Sequence, residues 1–311
     1  MRAISLQQSQ FDSFGFKHDR RLMVIHPSPT PLKGFFAPDE ATHRFVTQRQ
    51  APSLTKISVS LESSPRTGSS YIILSRTEDD GSVRRVTVNM SPSALTHAKK
   101  YRAGLWNDVV DVADVGDEAA TFIRSVIAND AIEPGDFDSV RLAAMDPHVY
   151  KRLLSEKYTP LAAMDLGSNP RVGLSDEFPL LIASESSLEE LNKRLVTKGK
   201  QPILMAQFRP NIVLKGTKPF EEDTWKVIRI GKTLFYLAKG CPRCKQSCTD
   251  QMTGQVSDEP LATLAEFRAL GSKGDDVFFA QNALAQVSTK QDTIHVDDVV
   301  EVLVKGEPVF E

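Results

Sequence analysis

Short apolar runs set between polar turns recur along this chain, and they constrain the fold more than any other feature. Leu22–Ile25, Ile57–Leu61, Tyr71–Leu74 and Val83–Met90 are rich in β-branched or aromatic residues and too short for helices. Asp79-Asp80-Gly81 supplies turn chemistry between the last two. In the second half, Phe178–Ala183 reads as a buried strand and Asn211–Leu214 as another. Trp225–Ile230 and Thr233–Leu237 flank Gly231-Lys232 as a two-residue hairpin, and Thr293–Val304 closes the chain as a strand. Helices are scattered among them. One is expected at Asp117–Ile127, with Phe122, Ile123, Val126 and Ile127 on one face. A second starts near Ser186, capped by the Ser186/Glu189 spacing and striped by Leu188, Leu191 and Leu195. A third starts at Pro260, carries Leu261, Leu264, Phe267 and Leu270, and ends at Gly271. Strands outnumber helices and do not alternate with them, which predicts a β-rich, barrel-like α+β fold and argues against a doubly wound sheet.

The 311 residues, 41% hydrophobic and 25% charged, suit two modest domains or one large one. The polar, Gly- and Pro-containing stretch from Pro160 to Ser175 marks either a domain boundary or a long loop. A net charge of −2 with both signs interspersed gives no basis for nucleic-acid binding or a polybasic membrane patch. No apolar run reaches the length of a membrane span, and the first residues lack a signal-peptide core. The three cysteines are clustered and odd in number, which predicts a reducing, cytoplasmic setting over a disulfide framework.

Those cysteines carry the chemistry. Cys241, Cys244 and Cys248 follow C-x2-C-x3-C spacing, and four readings compete. A zinc or iron–sulfur site needs a fourth ligand that the spacing does not provide. A redox dithiol belongs after a strand at a helix start in a thioredoxin-like unit, whereas a hairpin precedes this one. A single thiolate could ligate a soft or high-valent metal, with Arg243 and Lys245 favouring the anion. The plainest reading is three small core residues beside a turn. Elsewhere, Phe208-Arg209-Pro210-Asn211 and His18-Asp19-Arg20-Arg21 each place guanidinium groups at a strand mouth. Arginine there offers a fork for phosphate or a polar heterocycle, and Asn211 adds a donor and an acceptor. A surface salt bridge is the commoner role for any one of these arginines. Asp176 could orient a ligand or cap a turn, and Glu221-Glu222-Asp223 reads as a solvated turn. No Walker loop, dinucleotide glycine fingerprint or Ser-His-Asp order is present.

Taken together and in order, these segments resemble a known family. Gly15 to Val24 followed by Thr47-Gln48-Arg49-Gln50-Ala51-Pro52-Ser53-Leu54 is similar to the N-terminal MOSC β-barrel module. Leu181 to Leu188, Phe208-Arg209-Pro210-Asn211-Ile212-Val213, Glu222-Asp223-Thr224-Trp225, Cys241-Pro242-Arg243-Cys244, Thr253-Gly254 and Glu259 to Leu264 resemble the MOSC domain proper. The resemblance covers nearly the whole chain and points to the mitochondrial amidoxime reducing component family and its microbial counterparts. It places the N-terminal module over residues 1–130 and the MOSC domain over 160–308. It implies a molybdenum cofactor ligated by Cys244, with Arg20, Arg209, Asn211 and Arg243 holding the pterin and its phosphate; Asp176, read above as able to orient a ligand, is the remaining candidate cofactor contact. The implied reaction is the two-electron, two-proton reduction of small N-hydroxylated substrates such as amidoximes, oxygen leaving as water. Electrons would come from a separate carrier, cytochrome b5 with its reductase in the animal family. The alternative is a non-catalytic cofactor or sulfur carrier, like the C-terminal part of cofactor sulfurases, or a degenerate relative. Two departures stand out. The family's Tyr-Pro-x-Lys-Ser first strand would precede Arg2, so two cofactor anchors and a barrel strand are expected to be missing, and a mitochondrial association would need such an upstream segment. Phe279-Ala280-Gln281-Asn282 carries Ala where relatives often carry Gly.

Overall fold

The computed structural model describes residues 1–27, 41–63, 70–130, 137–158, 171–271, 276–286 and 292–311. Residues 160–170 of the expected boundary stretch lie outside them. The chain forms two compact units. One comprises Met1–Ile4, Arg20–Arg152 and Gln251–Gln255, the other Ser5–Asp19, Leu153–Asp250 and Val256–Glu311. The first nineteen residues are thus divided between the units, and a five-residue loop from late in the chain belongs to the first.

The first unit holds a closed barrel in the order β10-β3-β4-β8-β9, made of β3 (Leu22–Pro27), β4 (His43–Val46), β8 (Lys100–Leu105), β9 (Asp108–Asp114) and β10 (Arg141–Met145). Beside it, β5 (Ser58–Ser63), β6 (Ser70–Thr77) and β7 (Val83–Asn89) form an antiparallel sheet. The β6–β7 turn falls at the expected Asp-Asp-Gly, where Gly81 takes φ 82°, a conformation that favours glycine. The helix Asp117–Ile127 buries Ala119, Ala120, Phe122, Ile123, Val126 and Ile127. This stripe packs with Val24, Leu54, Ile57, Leu74, Val88 and Leu142 into one core. Arg141 fixes the β9 end of the barrel through Asp114 at 2.7 Å and Asp117 at 2.6 Å.

The second unit is built on a six-stranded sheet, order β12-β11-β15-β14-β13-β17. Its strands are β11 (Leu180–Ser184), β12 (Ile212–Leu214), β13 (Trp225–Ile230), β14 (Thr233–Pro242), β15 (Phe278–Gln286) and β17 (Val300–Lys305). A smaller sheet pairs β1 (Gln8–Asp12) with β2 (Gly15–Phe16) and β16 (Thr293–His295). Phe11 and Phe16 seat it in the core with Trp225, Ile228 and Phe235. On the other face, Leu191 and Leu195 of the helix Glu185–Thr197 pack with Phe208, Leu264 and Phe279.

Four local expectations need correction. The helix expected near Ser186 is capped two residues earlier, by Ser184, whose Oγ accepts from Ser187 N at 3.4 Å. Ser186 Oγ instead donates to Thr217 O at 2.6 Å. The helix expected from Pro260 to Gly271 spans only Leu261–Ala265, and Leu270 is 40% exposed. Beyond it the chain turns to bond β15, since Phe278 N donates to Arg268 O at 3.0 Å. The closing strand is broken between β16 and β17, with Asp297 at φ 69° in the break. The acidic run at 221–223 is not a solvated turn, because Glu222 is 0% and Asp223 6% exposed.

Candidate functional site

β14 runs five residues past its expected end, so Cys241 sits within the strand and Cys244 just beyond it. The extension is irregular. Gly240 pairs with Gln281 and Pro242 with Phe278, with a register shift between them. Cys244 then opens a one-turn helix, Lys245–Cys248, in extended geometry at φ −121° and ψ 175°. Its carbonyl accepts from Ser247 N at 3.0 Å and Ser247 Oγ at 2.8 Å. The strand end and the capped turn together present the Cys244 side chain outward.

The three thiols differ sharply. None is in a disulfide; Cys244 is exposed, Cys241 half-buried and Cys248 buried. Burial pushes the Cys248 thiol up. Burial also pushes the Cys241 thiol up, outweighing the nearby Arg243 guanidinium. Both stay protonated at neutral pH, so Cys244 is the accessible sulfur donor. Among the described residues no three His, Cys, Asp or Glu side chains converge on a common metal position. The zinc or iron–sulfur reading therefore has no ligand set there.

Arg243 makes two side-chain bonds. Its Nη1 donates to Cys241 Sγ at 2.9 Å and its Nη2 to Phe208 O at 2.9 Å, with the guanidinium 5.3 Å from the Phe208 ring. It bonds the neighbouring cysteine and ties the cysteine segment to the Arg-Pro-Asn segment. Gln207 adds a second tie, donating to Ser247 O at 3.0 Å. These bonds bring Arg209 and Asn211 onto the same part of the unit as Cys244. Arg209 is half-buried and adopts φ 57°. Asn211 works as a clasp: Leu181 N donates to its Oδ1 at 2.9 Å, and its Nδ2 donates to Asp19 Oδ2 at 2.7 Å. Asp176 is exposed and close enough to Cys241 to raise that thiol's pKa further. Arg20, at φ 48°, follows Asp19 in the chain but belongs to the first unit.

One group was not foreseen from the sequence. Lys239, on β14, is 6% exposed, with its ammonium 2.8 Å from Glu177 and 4.9 Å from the Tyr158 ring centroid. Burial works against its charge, but the bonds to Glu177 and Tyr158 outweigh it and raise the pKa. Its signal was a lysine inside a largely apolar strand, which requires a partner for the charge.

This arrangement fits a soft, Cys-ligated cofactor. It offers an exposed thiol donor, the guanidinium groups of Arg209 and Arg243 on the segments tied together there, and an exposed carboxylate at Asp176. Residues 1–130 match the family model described as the MOSC N-terminal beta barrel domain, and residues 169–301 match the MOSC domain. The chain is a MOSC protein with both domains. Over 72% of its length it is 31% identical to mitochondrial amidoxime reducing component 2 of Bos taurus, and likewise 31% identical to mitochondrial amidoxime-reducing component 1 of Mus musculus. It spans 58% and 57% of those proteins. Over 135 residues it is 38% identical to a molybdenum cofactor sulfurase of Oryza sativa subsp. japonica, covering 39% of this chain and 16% of that protein. These relatives support a role associated with the molybdenum cofactor. No helix among the described residues is long and apolar enough to cross a membrane.

Proposed function

We propose that this protein binds the molybdenum cofactor through Cys244 and reduces N-hydroxylated, amidoxime-type substrates. The observation that carries the proposal is the exposed Cys244 thiol just beyond β14, in a segment that Arg243 ties to the Arg209–Asn211 segment through Cys241 Sγ and the Phe208 carbonyl. When bound, the cofactor would supply the two-electron chemistry that removes oxygen from nitrogen as water. The chain's own residues do the rest. Cys244 provides the sulfur ligand. Arg209 would face the anionic groups of the pterin, and Arg243, whose terminal nitrogens bond Cys241 and Phe208, would hold the cysteine segment beside it. Asn211 holds Asp19 and β11 in register. Asp176, an exposed carboxylate, would contact the cofactor. A small-molecule substrate and a separate electron-donor protein, such as cytochrome b5 with its reductase, are the partners, and three thiols outside any disulfide suit a reducing compartment such as the cytoplasm.

The sulfurase relatives support a second reading, a cofactor carrier without turnover, because their similarity lies in a stretch of only 135 residues. Metal analysis combined with an amidoxime reduction assay using a chemically reduced donor separates the two. Stoichiometric molybdenum with turnover is the expected result. Molybdenum without turnover favours the carrier, and a chain from a cofactor-competent host that holds none refutes both. Cys244→Ala should abolish molybdenum retention, whereas Cys248→Ala should leave it within about twofold. Equal loss in both variants would overturn the Cys244 assignment.

A further inference from the structure

The irregular end of β14 needs something to hold it, because a strand with a register shift has lost part of its ladder there. The structure shows a closed circuit of buried polar contacts around it. Gln281, the ladder partner of Gly240, donates from Nε2 to Asp223 Oδ1 at 2.7 Å. Asp223 Oδ2 is 2.7 Å from Arg268 Nη1. Arg268 holds both backbone groups of Phe278, its Nε donating to the Phe278 carbonyl and its own carbonyl accepting from the Phe278 amide, each at 3.0 Å. Phe278 is the ladder partner of Pro242, and the carbonyl before it, on Val277, accepts from Arg243 N at 2.8 Å. The circuit therefore starts opposite Gly240 and ends opposite Pro242 and Arg243, on either side of Cys241 and next to Cys244. Arg268 is 5%, Asp223 6% and Gln281 2% exposed. The Phe220 ring lies 4.3 Å and the Phe310 ring 5.4 Å from the guanidinium, walling it from water.

A buried ion pair is weak evidence for added stability, since desolvation offsets most of the attraction, but removing one partner strands the other. This pair's contacts go to the two ends of the distorted strand segment. We infer that Arg268 and Asp223 are positioning residues: they set the path of residues 240–243, and through it the orientation of the Cys244 ligand and the Arg243 bond to Cys241. The consequence for metal binding rests on the reading of Cys244 given above. The positioning itself does not, and it can be measured on the metal-free chain.

The probe is iodoacetamide under native conditions, with alkylation of each cysteine followed by peptide mass spectrometry. Asp223→Asn removes the charge that holds Arg268 while keeping nearly the same volume. The half-buried Cys241 should then alkylate at least about tenfold faster, while the buried Cys248 stays within about twofold. Arg268→Lys keeps the charge but loses the planar fork that reaches both Asp223 and Phe278, and should give an intermediate rise. If Asp223→Asn does not fold, Arg268→Lys carries the test alone. Unchanged Cys241 rates, or Cys241 and Cys248 rising in proportion as general loosening would produce, overturn the inference. Failure of the protein to take up molybdenum would sink the functional proposal and leave this result standing.

Discussion

Glu222 should make the stability of the second unit depend on pH in a direction opposite to most carboxylates. Its side chain is fully buried and accepts from Ser187 Oγ at 2.7 Å, while Oε2 has no hydrogen-bond partner among the described residues. Burial is the largest influence and outweighs the Ser187 bond, pushing the pKa from 4.5 up to about 7. A carboxyl whose folded pKa lies above its unfolded value binds its proton more tightly when folded. Stability is therefore full below about pH 4.5, falls as pH rises toward 7, and above 7 carries the whole penalty of a buried anion. At about 1.4 kcal/mol per tenfold, that penalty is about 3 kcal/mol. Glu222→Gln keeps an acceptor for Ser187 and removes the charge. The variant should match the parent within about 1 kcal/mol at pH 5 and exceed it by about 3 kcal/mol at pH 8. For a unit of this size the gap corresponds to a Tm difference of about 6–12 °C at pH 8. Scanning calorimetry of both proteins from pH 5 to 8 measures it. Parallel Tm curves, or a gap that is widest at pH 5, would refute the reasoning.

Two further substitutions probe the strand that carries the cysteines. A Cβ on Gly240 would lie 2.5 Å from Phe310 Cδ1 and 3.2 Å from Phe278 Cδ1. Gly240→Ala should cost about 1–3 kcal/mol by overpacking, and Phe310→Ala should relieve much of that in the double variant, as denaturant titration would reveal; purely additive losses would argue against the clash. Ala280 sits at φ 68°, a left-handed conformation that costs an L-residue about 1–2 kcal/mol. Ala280→Gly should therefore be milder by about that amount than Ala283→Gly on the same buried strand, and equal costs at the two positions would contradict the strain.

The parts of the fold legible in the sequence were those whose signal is local. β3, β5, β6 and β7 announced themselves through β-branched runs and an Asp-Asp-Gly turn, and the helix Asp117–Ile127 through its apolar stripe. β15 was missed. Its run Phe-Phe-Ala-Gln-Asn-Ala-Leu-Ala-Gln has neither alternation nor β-branching, because it is a central strand buried on both faces, with Gln281 and Asn282 facing buried neighbours instead of water. The helix after Pro260 was overextended for the opposite reason. Leu264, Phe267 and Leu270 keep helical spacing, yet Arg268 leaves the helix to hold Phe278, a tertiary demand that outweighs the periodicity.

The same division runs through the site. Cys244, Arg209 and Arg243 could be singled out by type, since a soft sulfur and guanidinium forks have recognisable uses wherever they occur. What holds them could not. Asn211 reaches Asp19 across 192 residues of sequence, and Asp223 looked solvated because its partner Arg268 and its donor Gln281 are remote in the chain. Three consecutive acidic residues beside a hairpin are ordinarily a wet turn. Burying Asp223 becomes tolerable only when a guanidinium and an amide arrive from other elements to satisfy it. A reactive side chain is defined by its own chemistry and can be read alone, whereas its orientation is defined by pairings that exist only once the chain has folded. For this protein the thiol identity and the Asp223–Arg268 circuit are therefore separable properties, and substitutions in the circuit should alter how Cys244 is presented without altering what it is.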